Sequence, residues 1–260
     1  MGWRRDRALR RRLGLSGVLT LTVLGCDGSH SAAGGAASGY LVRSWASGTS
    51  VWMDAGPGTF ANLQRFTDPL ALSAIVLTHE HHDHFSDVEG FITAARWVYE
   101  MQRPPVPVYA PPGVLGRVTQ DVEGILDWHE VGEGDGVDVG DLRLTFSRTD
   151  HPPVTLATRL QGPSSALGYS ADSGPEWSLS ALGPGLDLAL CEATYTSERK
   201  GPPIHMSGTE AGSNARGAGA RRLVVTHRWP TASAVDVLAE ATEAFGGRVD
   251  QAAVGRGYSL

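Results

Sequence analysis

Cysteine is almost missing from this chain: Cys26 and Cys191 are the only two thiols in 260 residues. Two thiols cannot build the disulfide framework of a small secreted scaffold, and they exclude a zinc cage made mainly of thiolates. The expected state is therefore reduced and the expected location cytoplasmic. An excess of positive charge is also missing. The formal net charge is −6, which disfavours a surface built mainly for nucleic acid. No run reaches the ~18 apolar residues of a membrane span, so no membrane partner is expected. There is no internal repeat and no linker long enough to divide the chain. A fold of this length buries roughly 70–75% of its unfolded surface and needs no staple.

The first 26 residues, "MGWRRDRALRRRLGLSGVLTLTVLGC", allow two readings. A basic start, a short apolar run and a cysteine mimic a lipoprotein signal, with Cys26 as the lipidated residue. However, Gly14, Ser16, Gly17, Thr20 and Thr22 interrupt the apolar segment. "LTLTVLGCDGS" then reads as a first strand ending in a glycine-rich turn. On that reading residues 1–17 are a basic, disordered extension and residues 18–260 form one domain.

What is abundant is glycine, 33 residues, and proline, 15, which suits short strands joined by tight turns. Strand-like runs occur at 19–25, 39–45, 50–56, 73–79, 106–111, 142–149, 154–160, 165–172, 186–194, 222–227 and 248–254. Helical patterns are expected at 86–100, opened by a capping box from Ser86 to Glu89, and at 114–126, 208–220 and 233–245. Each half is strand-rich with a few helices. Two packed sheets with helices outside, an α+β fold, satisfy that balance.

The stretch "LTHEHHDHFSD" puts His79, His81, His82, Asp83 and His84 directly after the strand-like "SAIVL". Such a cluster gains little as packing and repels itself when protonated, whereas a bound cation explains it. On a loop at that junction, His79 and His81 can share one ion while Asp83 and His84 reach a second. Imidazole and carboxylate together suit zinc, and also manganese or iron. Two ions need more ligands at strand ends: His151 follows the run "LRLTFSRTD", and Asp172 and His227 end "ALGYSAD" and "RLVVTH". Asp172 could bridge the two ions.

Together these residues spell a family. "MDAGPG", "HEHHDH", His151, Asp172 and His227 resemble the five motifs of the metallo-β-lactamase-fold hydrolases, over about residue 19 to the C-terminus. The resemblance implies a four-layer αββα sandwich with a dinuclear site at the edge of its two sheets, holding two divalent ions, zinc first. It assigns His79, His81 and His151 to one metal, Asp83, His84 and His227 to the other, and the bridge to Asp172. Asp54 would hydrogen-bond a ligand and fix its orientation. His82 is left as a residue that is not a ligand.

"CEATY" and "HMSGTEAG" resemble the Glu and His motifs of the ribonuclease Z group of phosphodiesterases. There Glu192 would orient His205, and His205 would face the phosphate. With Asp83 and Asp54, these two form the expected catalytic set. The long tRNA-gripping arm of true ribonuclease Z would lie between the third and fourth motifs, where only 21 residues separate His151 from Asp172. The chain looks most similar to small actinobacterial phosphodiesterases of the atypical class II type. The resemblance thus implies hydrolysis of 3′,5′-cyclic nucleotides such as cAMP or cGMP. It implies a small-molecule phosphodiester as partner and no stable nucleic-acid complex, and it allows a homodimer. Arg228 and Trp229, following His227, depart from the small apolar residues usual there. Alternatives are a tRNA 3′-processing nuclease, a lactonase or thioesterase of the same fold, and, outside the enzymes, a metal-dependent binding module or a surface lipoprotein.

Overall fold

A computed structural model describes residues 18–198 and 203–260. The expectation for residues 1–17 lies outside the described residues. Two seven-stranded sheets face each other. The first has the order β14-β1-β2-β3-β4-β5-β6 and comprises β1 (Leu19–Gly25), β2 (Gly39–Ser44), β3 (Ser50–Ala55), β4 (Ala74–Val76), β5 (Val106–Ala110), β6 (Leu126–Glu130) and β14 (Gly257–Ser259). The second has the order β13-β12-β11-β10-β9-β8-β7. Its strands are β7 (Gly136–Val139), β8 (Leu142–Arg148), β9 (Leu156–Gln161), β10 (Ala166–Tyr169), β11 (Leu188–Glu192), β12 (Leu223–Thr226) and β13 (Val249–Gln251). All eleven expected strands occur. The segment that could have been the apolar part of a signal is β1, hydrogen-bonded to β2 on one side and β14 on the other.

Strand alternation sends one face inward and one toward a helical layer. Val51 and Met53 of β3 meet Leu144, Leu160, Leu167 and Leu190 between the sheets. Trp52 of the same strand faces the opposite way, onto Phe85, Val88, Phe91, Ile92 and Leu63 of α1 (Thr59–Leu63). On the far side Ala189, Cys191 and Val225 pack under Ala211, Ala215, Val237 and Ala241. These small residues let α4 (Gly208–Gly217) and α5 (Ala234–Phe245) lie close to the sheet and to each other. The result is the expected four-layer α/β/β/α sandwich. Cys26 is partly buried, Cys191 is fully buried, and neither is paired. Among the described residues no helix is long and apolar enough to cross a membrane.

Three local expectations fail, for identifiable reasons. The helix expected at 114–126 is only a 3₁₀ turn, Leu115–Arg117, followed by an irregular loop. Glu89 captures that loop, its carboxylate accepting from the Thr119 N–H at 2.6 Å and hydroxyl at 2.9 Å. Because Glu89 is used there, the Ser86–Glu89 capping box does not form. Ser86 lies within helical backbone and its hydroxyl bonds back to the His82 carbonyl. The helical course instead begins earlier, in a one-turn helix α2 (His82–Phe85), continuing as α3 (Asp87–Thr93). Asp83 and His84 therefore stand on a helical turn rather than a loop. A true capping box does form at α4, between Ser207 and Glu210. The strands β6, β7 and β14 had no clear sequence signal. β6 and β14 are largely solvent-exposed, and β7 is the outermost strand of its sheet.

Candidate metal centre

Parallel strands β3, β4, β11 and β12 all end on one edge of the sandwich, and the polar residues cluster where they stop. Asp54, Ala171 and His227 adopt left-handed backbone at φ 52°, 52° and 54°. Residues held there cost of order 1–3 kcal/mol each and persist only where surrounding packing enforces them. The turn after β3 presses against the ligand segment: a Cβ on Gly56 would lie 2.0 Å from the Asp83 carbonyl oxygen. Gly28, in the β1–β2 loop, also fits closely, a Cβ there lying 2.4 Å from the His227 carbonyl oxygen, and the neighbouring Ser29 N–H donates to Asp83 Oδ2 at 2.7 Å.

All seven residues read as ligands from the sequence come together here, in the groups His79–His81–His151–Asp172 and Asp83–His84–His227. In the first group His81 Nδ1 stands 3.0 Å from His79 Nε2 and 3.3 Å from His151 Nε2. Asp172 Oδ2 stands 3.7 and 3.8 Å from His79 Nε2 and His151 Nε2. In the second group Asp83 Oδ2 lies 3.5 Å from His84 Nε2 and 3.4 Å from His227 Nε2. The other oxygen of Asp172, Oδ1, lies 3.2 Å from His84 Nε2 and 3.3 Å from His227 Nε2. Asp172 thus points one oxygen at each group, as a bridge requires. Donors about 2.1 Å from one ion in a tetrahedron stand roughly 3.4 Å apart, the spacing found throughout.

The proton positions follow from what each ring bonds behind it. His84 Nδ1 donates to Asp54 Oδ2 at 2.7 Å and His151 Nδ1 to the Ile204 carbonyl at 2.8 Å. The Thr78 hydroxyl donates to Asp54 Oδ2 at 2.9 Å, so it accepts from His79 Nδ1 at 3.0 Å. Thr194 donates to Glu192 Oε2 at 2.6 Å, so it accepts from His227 Nδ1 at 3.0 Å. With a cation bound, these four rings would present Nε2 as a lone pair toward the middle; until then His84 carries a proton there as well. His81 Nδ1 stands 3.0 and 3.3 Å from two of these nitrogens, so that all three can face one ion, and His84 Nε2 and Asp172 Oδ1 are buried 3.2 Å apart with no further hydrogen-bond partner. The donor set fits divalent cations.

Electrostatics agree. Burial holds the His79 and His151 imidazoles below their usual pKa, hence neutral. Asp172 stays ionised despite its burial because His227 and His84 outweigh it. His84 is the exception: burial disfavours its charge, but Asp172, Asp83 and Asp54 hold its pKa well above normal. A proton on His84 does there what a cation would do, and a bound cation would displace it.

Beside the cluster, His205 Nδ1 bonds Glu192 Oε1 at 3.0 Å. Glu192 is fully buried and also accepts from Ser173 N at 2.6 Å, Thr194 Oγ1 at 2.6 Å and Met206 N at 3.2 Å. Asp172, Glu192, His205 and His227 also lie close enough together to hold an ion, but both Glu192 oxygens are engaged by these donors and by His205. Burial alone would lower the His205 pKa, but the Glu192 charge and hydrogen bond push it up to about 9. His82 points away from the group, exposed and packed on Phe85 at 5.3 Å. The sequence reading missed Thr78, Thr194 and Tyr169, whose hydroxyl donates to Asp54 Oδ2 at 2.8 Å. The available signal was a threonine beside a strand-end motif, "VLTH" and "EAT".

The family model described as a beta-lactamase superfamily domain matches residues 49–228, a span that contains every residue of this cluster. The chain belongs to that family. It is a metal-dependent hydrolase of the metallo-β-lactamase fold. An uncharacterized protein of Mycobacterium tuberculosis is 37% identical, over 88% of this chain and 88% of that one. The probable metallo-hydrolase YhfI of Bacillus subtilis is 30% identical over 91% of this chain and 98% of its own length. The YhfI crystal structure superposes with a TM-score of 0.83, covering 92% of this chain and 99% of that one at 27% identity. The short form of human tRNase Z has a TM-score of 0.72 over 93% and 99% of the two chains at 18% identity, a likeness of fold alone.

Proposed function

We propose that this metallo-hydrolase is a phosphodiesterase acting on a small phosphodiester, with 3′,5′-cyclic nucleotides as the first candidates and 5′-nucleotides as products. The observation that carries the reading is the buried Glu192–His205 pair beside the histidine–aspartate cluster, 3.0 Å from nitrogen to oxygen. A lactonase or thioesterase has no evident use for it. With a pKa near 9, His205 is protonated at neutral pH. Its Nδ1 is tied to Glu192, which leaves Nε2 to deliver a proton to the departing ribose oxygen. Water adds to phosphorus, the P–O3′ bond breaks, and the freed oxygen takes that proton. Such proton donation is worth typically ~10²–10⁴-fold in rate.

His79, His81, His151 and Asp172 would hold one divalent cation, and Asp83, His84, His227 and Asp172 a second. Zinc is the first choice on donor type, with manganese and iron as alternatives. Bound cations supply the Lewis acidity that neutralises phosphoryl oxygens and acidifies water. Asp54 holds His84 and Thr78 in register for that site. Between His151 and Asp172 the chain forms only the tight β9–β10 hairpin. That supports a small-molecule substrate over a stably bound RNA.

The test is a panel assay of metal-loaded protein against cyclic AMP, cyclic GMP, bis(p-nitrophenyl) phosphate, pre-tRNA and a lactone. Turnover of the cyclic nucleotides and the synthetic diester is expected. Turnover of the lactone alone would refute the reading, and turnover of pre-tRNA alone would replace it with the nuclease alternative.

A further inference from the structure

The outermost strands β13 and β14 belong to different sheets, and an arginine cluster sits on the seam between them. Arg221, Arg222, Arg248 and Arg256 line a cavity of about 460 Å³ together with Asp250 and Tyr258. That volume lies within the roughly 300–1,000 Å³ of small-molecule sites. The four arginines come from three separate segments and form no basic run in the sequence. In a chain of net charge −6 they concentrate like charge that repels itself unless an anion joins it.

The local carboxylates cover only part of this charge. Asp250 Oδ1 accepts from Arg256 at 2.7 Å and from Arg248 at 3.4 Å, and Asp187 accepts from Arg221 at 2.8 Å. Arg222 donates to the backbone carbonyl of Ser259 at 2.9 Å. Four guanidiniums thus face two carboxylates. Tyr258, buried beneath them, has the Arg222 guanidinium 5.8 Å and the Arg256 guanidinium 5.2 Å from its ring centroid. The Tyr258 ring favours this placement of two of the guanidiniums, while Arg221 and Arg248 reach into solvent with side chains 77% and 85% exposed. Guanidiniums present paired N–H donors that match phosphate oxygens.

This cluster is remote from the metal centre. Arg222 precedes β12 and His227 follows it, so five residues of extended chain, about 17 Å, lie between them. β13 runs parallel to β12, which puts Arg248 at the same far end.

We infer that the β13–β14 seam is a second binding site, for a small molecule carrying a diphosphate or triphosphate group. A ligand bridging Arg222 or Arg248 to Arg256 would tie the two sheets together at this edge.

Calorimetric titration of metal-loaded protein with inorganic pyrophosphate and with adenosine triphosphate tests this. The expected outcome is a binding event that weakens about tenfold for each of Arg222→Gln, Arg248→Gln and Arg256→Gln, as loss of a charge-assisted contact implies. It should also weaken as salt is raised. Hydrolysis of bis(p-nitrophenyl) phosphate without added pyrophosphate should be unchanged in these variants, which shows that they are folded. Equal pyrophosphate binding in the Arg222→Gln/Arg256→Gln double variant would place the ligand at the metals alone and overturn the inference. Binding of an RNA oligonucleotide but not of pyrophosphate would overturn it too, making the seam a nucleic-acid surface.

Discussion

Asp54→Asn is the most informative single substitution, because it changes one oxygen to an amide and leaves the shape of the side chain. Asp54 is fully buried and accepts four hydrogen bonds. Oδ1 takes the Thr78 N–H at 2.8 Å. Oδ2 takes the Thr78 hydroxyl at 2.9 Å, His84 Nδ1 at 2.7 Å and the Tyr169 hydroxyl at 2.8 Å. Asparagine tolerates the left-handed backbone at this position, so backbone strain is not a confounding factor. The amide has two placements, and each sets donor against donor. With NH₂ in the Oδ2 position it faces three donors, and His84 must move its proton to Nε2, the atom a cation needs. With NH₂ in the Oδ1 position it meets the Thr78 N–H, and the segment leading into His79 shifts. Losing an orienting partner of a metal-bound histidine typically costs 10–100-fold in metal affinity, about 1.4–2.7 kcal/mol. Titration against a chromophoric chelator measures this, with circular dichroism confirming the fold. An unchanged affinity in Asp54→Asn would refute the proton assignment on which the cation site rests.

Other perturbations separate the remaining roles. His205→Ala should retain the metal content of the wild type by mass spectrometry while kcat falls by ~10²–10⁴-fold; metal loss instead would make His205 a ligand. Glu192→Gln tests the charge on His205 through the pH dependence of stability. Because the folded pKa of about 9 lies above the ordinary 6.5, the pair stabilises fully below about pH 6.5 and progressively less as pH rises through 9. Chelated wild type should therefore lose about 3 kcal/mol more than Glu192→Gln across that window, and parallel denaturation curves would contradict it. Trp52→Ala, at a fully buried position under α3, should cost about 3–5 kcal/mol in chemical denaturation; a loss below about 1 kcal/mol would mean that the helical layer is not held by that contact.

Strand-end chemistry was legible in the sequence because histidine and aspartate have few other reasons to follow buried apolar runs. "SAIVLTH" and "RLVVTH" each announce both a strand and a ligand, and the pairing of Glu192 with His205 followed from their motifs. Elements whose formation depends on a partner far away in the chain were not legible. Glu89 looked like a cap for its own helix, yet it closes the 119–120 loop 30 residues on. The apolar spacing at 114–126 suggested a helix, but two prolines and Gly113 at φ 102° precede it and Glu89 takes its backbone donors. The arginine seam shows the same limit: its charges are contiguous only after β13 and β14 meet.

The two buried histidines drawn toward the charged form, His84 and His205, serve opposite ends, and their partners explain the difference. His84 faces Asp54 behind and two carboxylates in front, Asp172 and Asp83, whose oxygens also approach His227. A cation placed among those front oxygens would satisfy all of them, and the proton on His84 Nε2 would be the group to leave. His205 instead receives its main support from Glu192 through Nδ1, which stands 3.0 Å from Glu192 Oε1 and 3.9 Å from Asp172 Oδ2. Glu192 is itself fixed by Ser173, Thr194 and Met206, which hold both of its oxygens in place against the ring. Cations entering the cluster therefore compete with the proton of His84 far more directly than with that of His205. Under the proposed function one imidazole would become a ligand and the other would remain an acid, although burial disfavours charge on both. Thr194, bonded to Glu192 on one side and His227 on the other, fixes the boundary between the two roles.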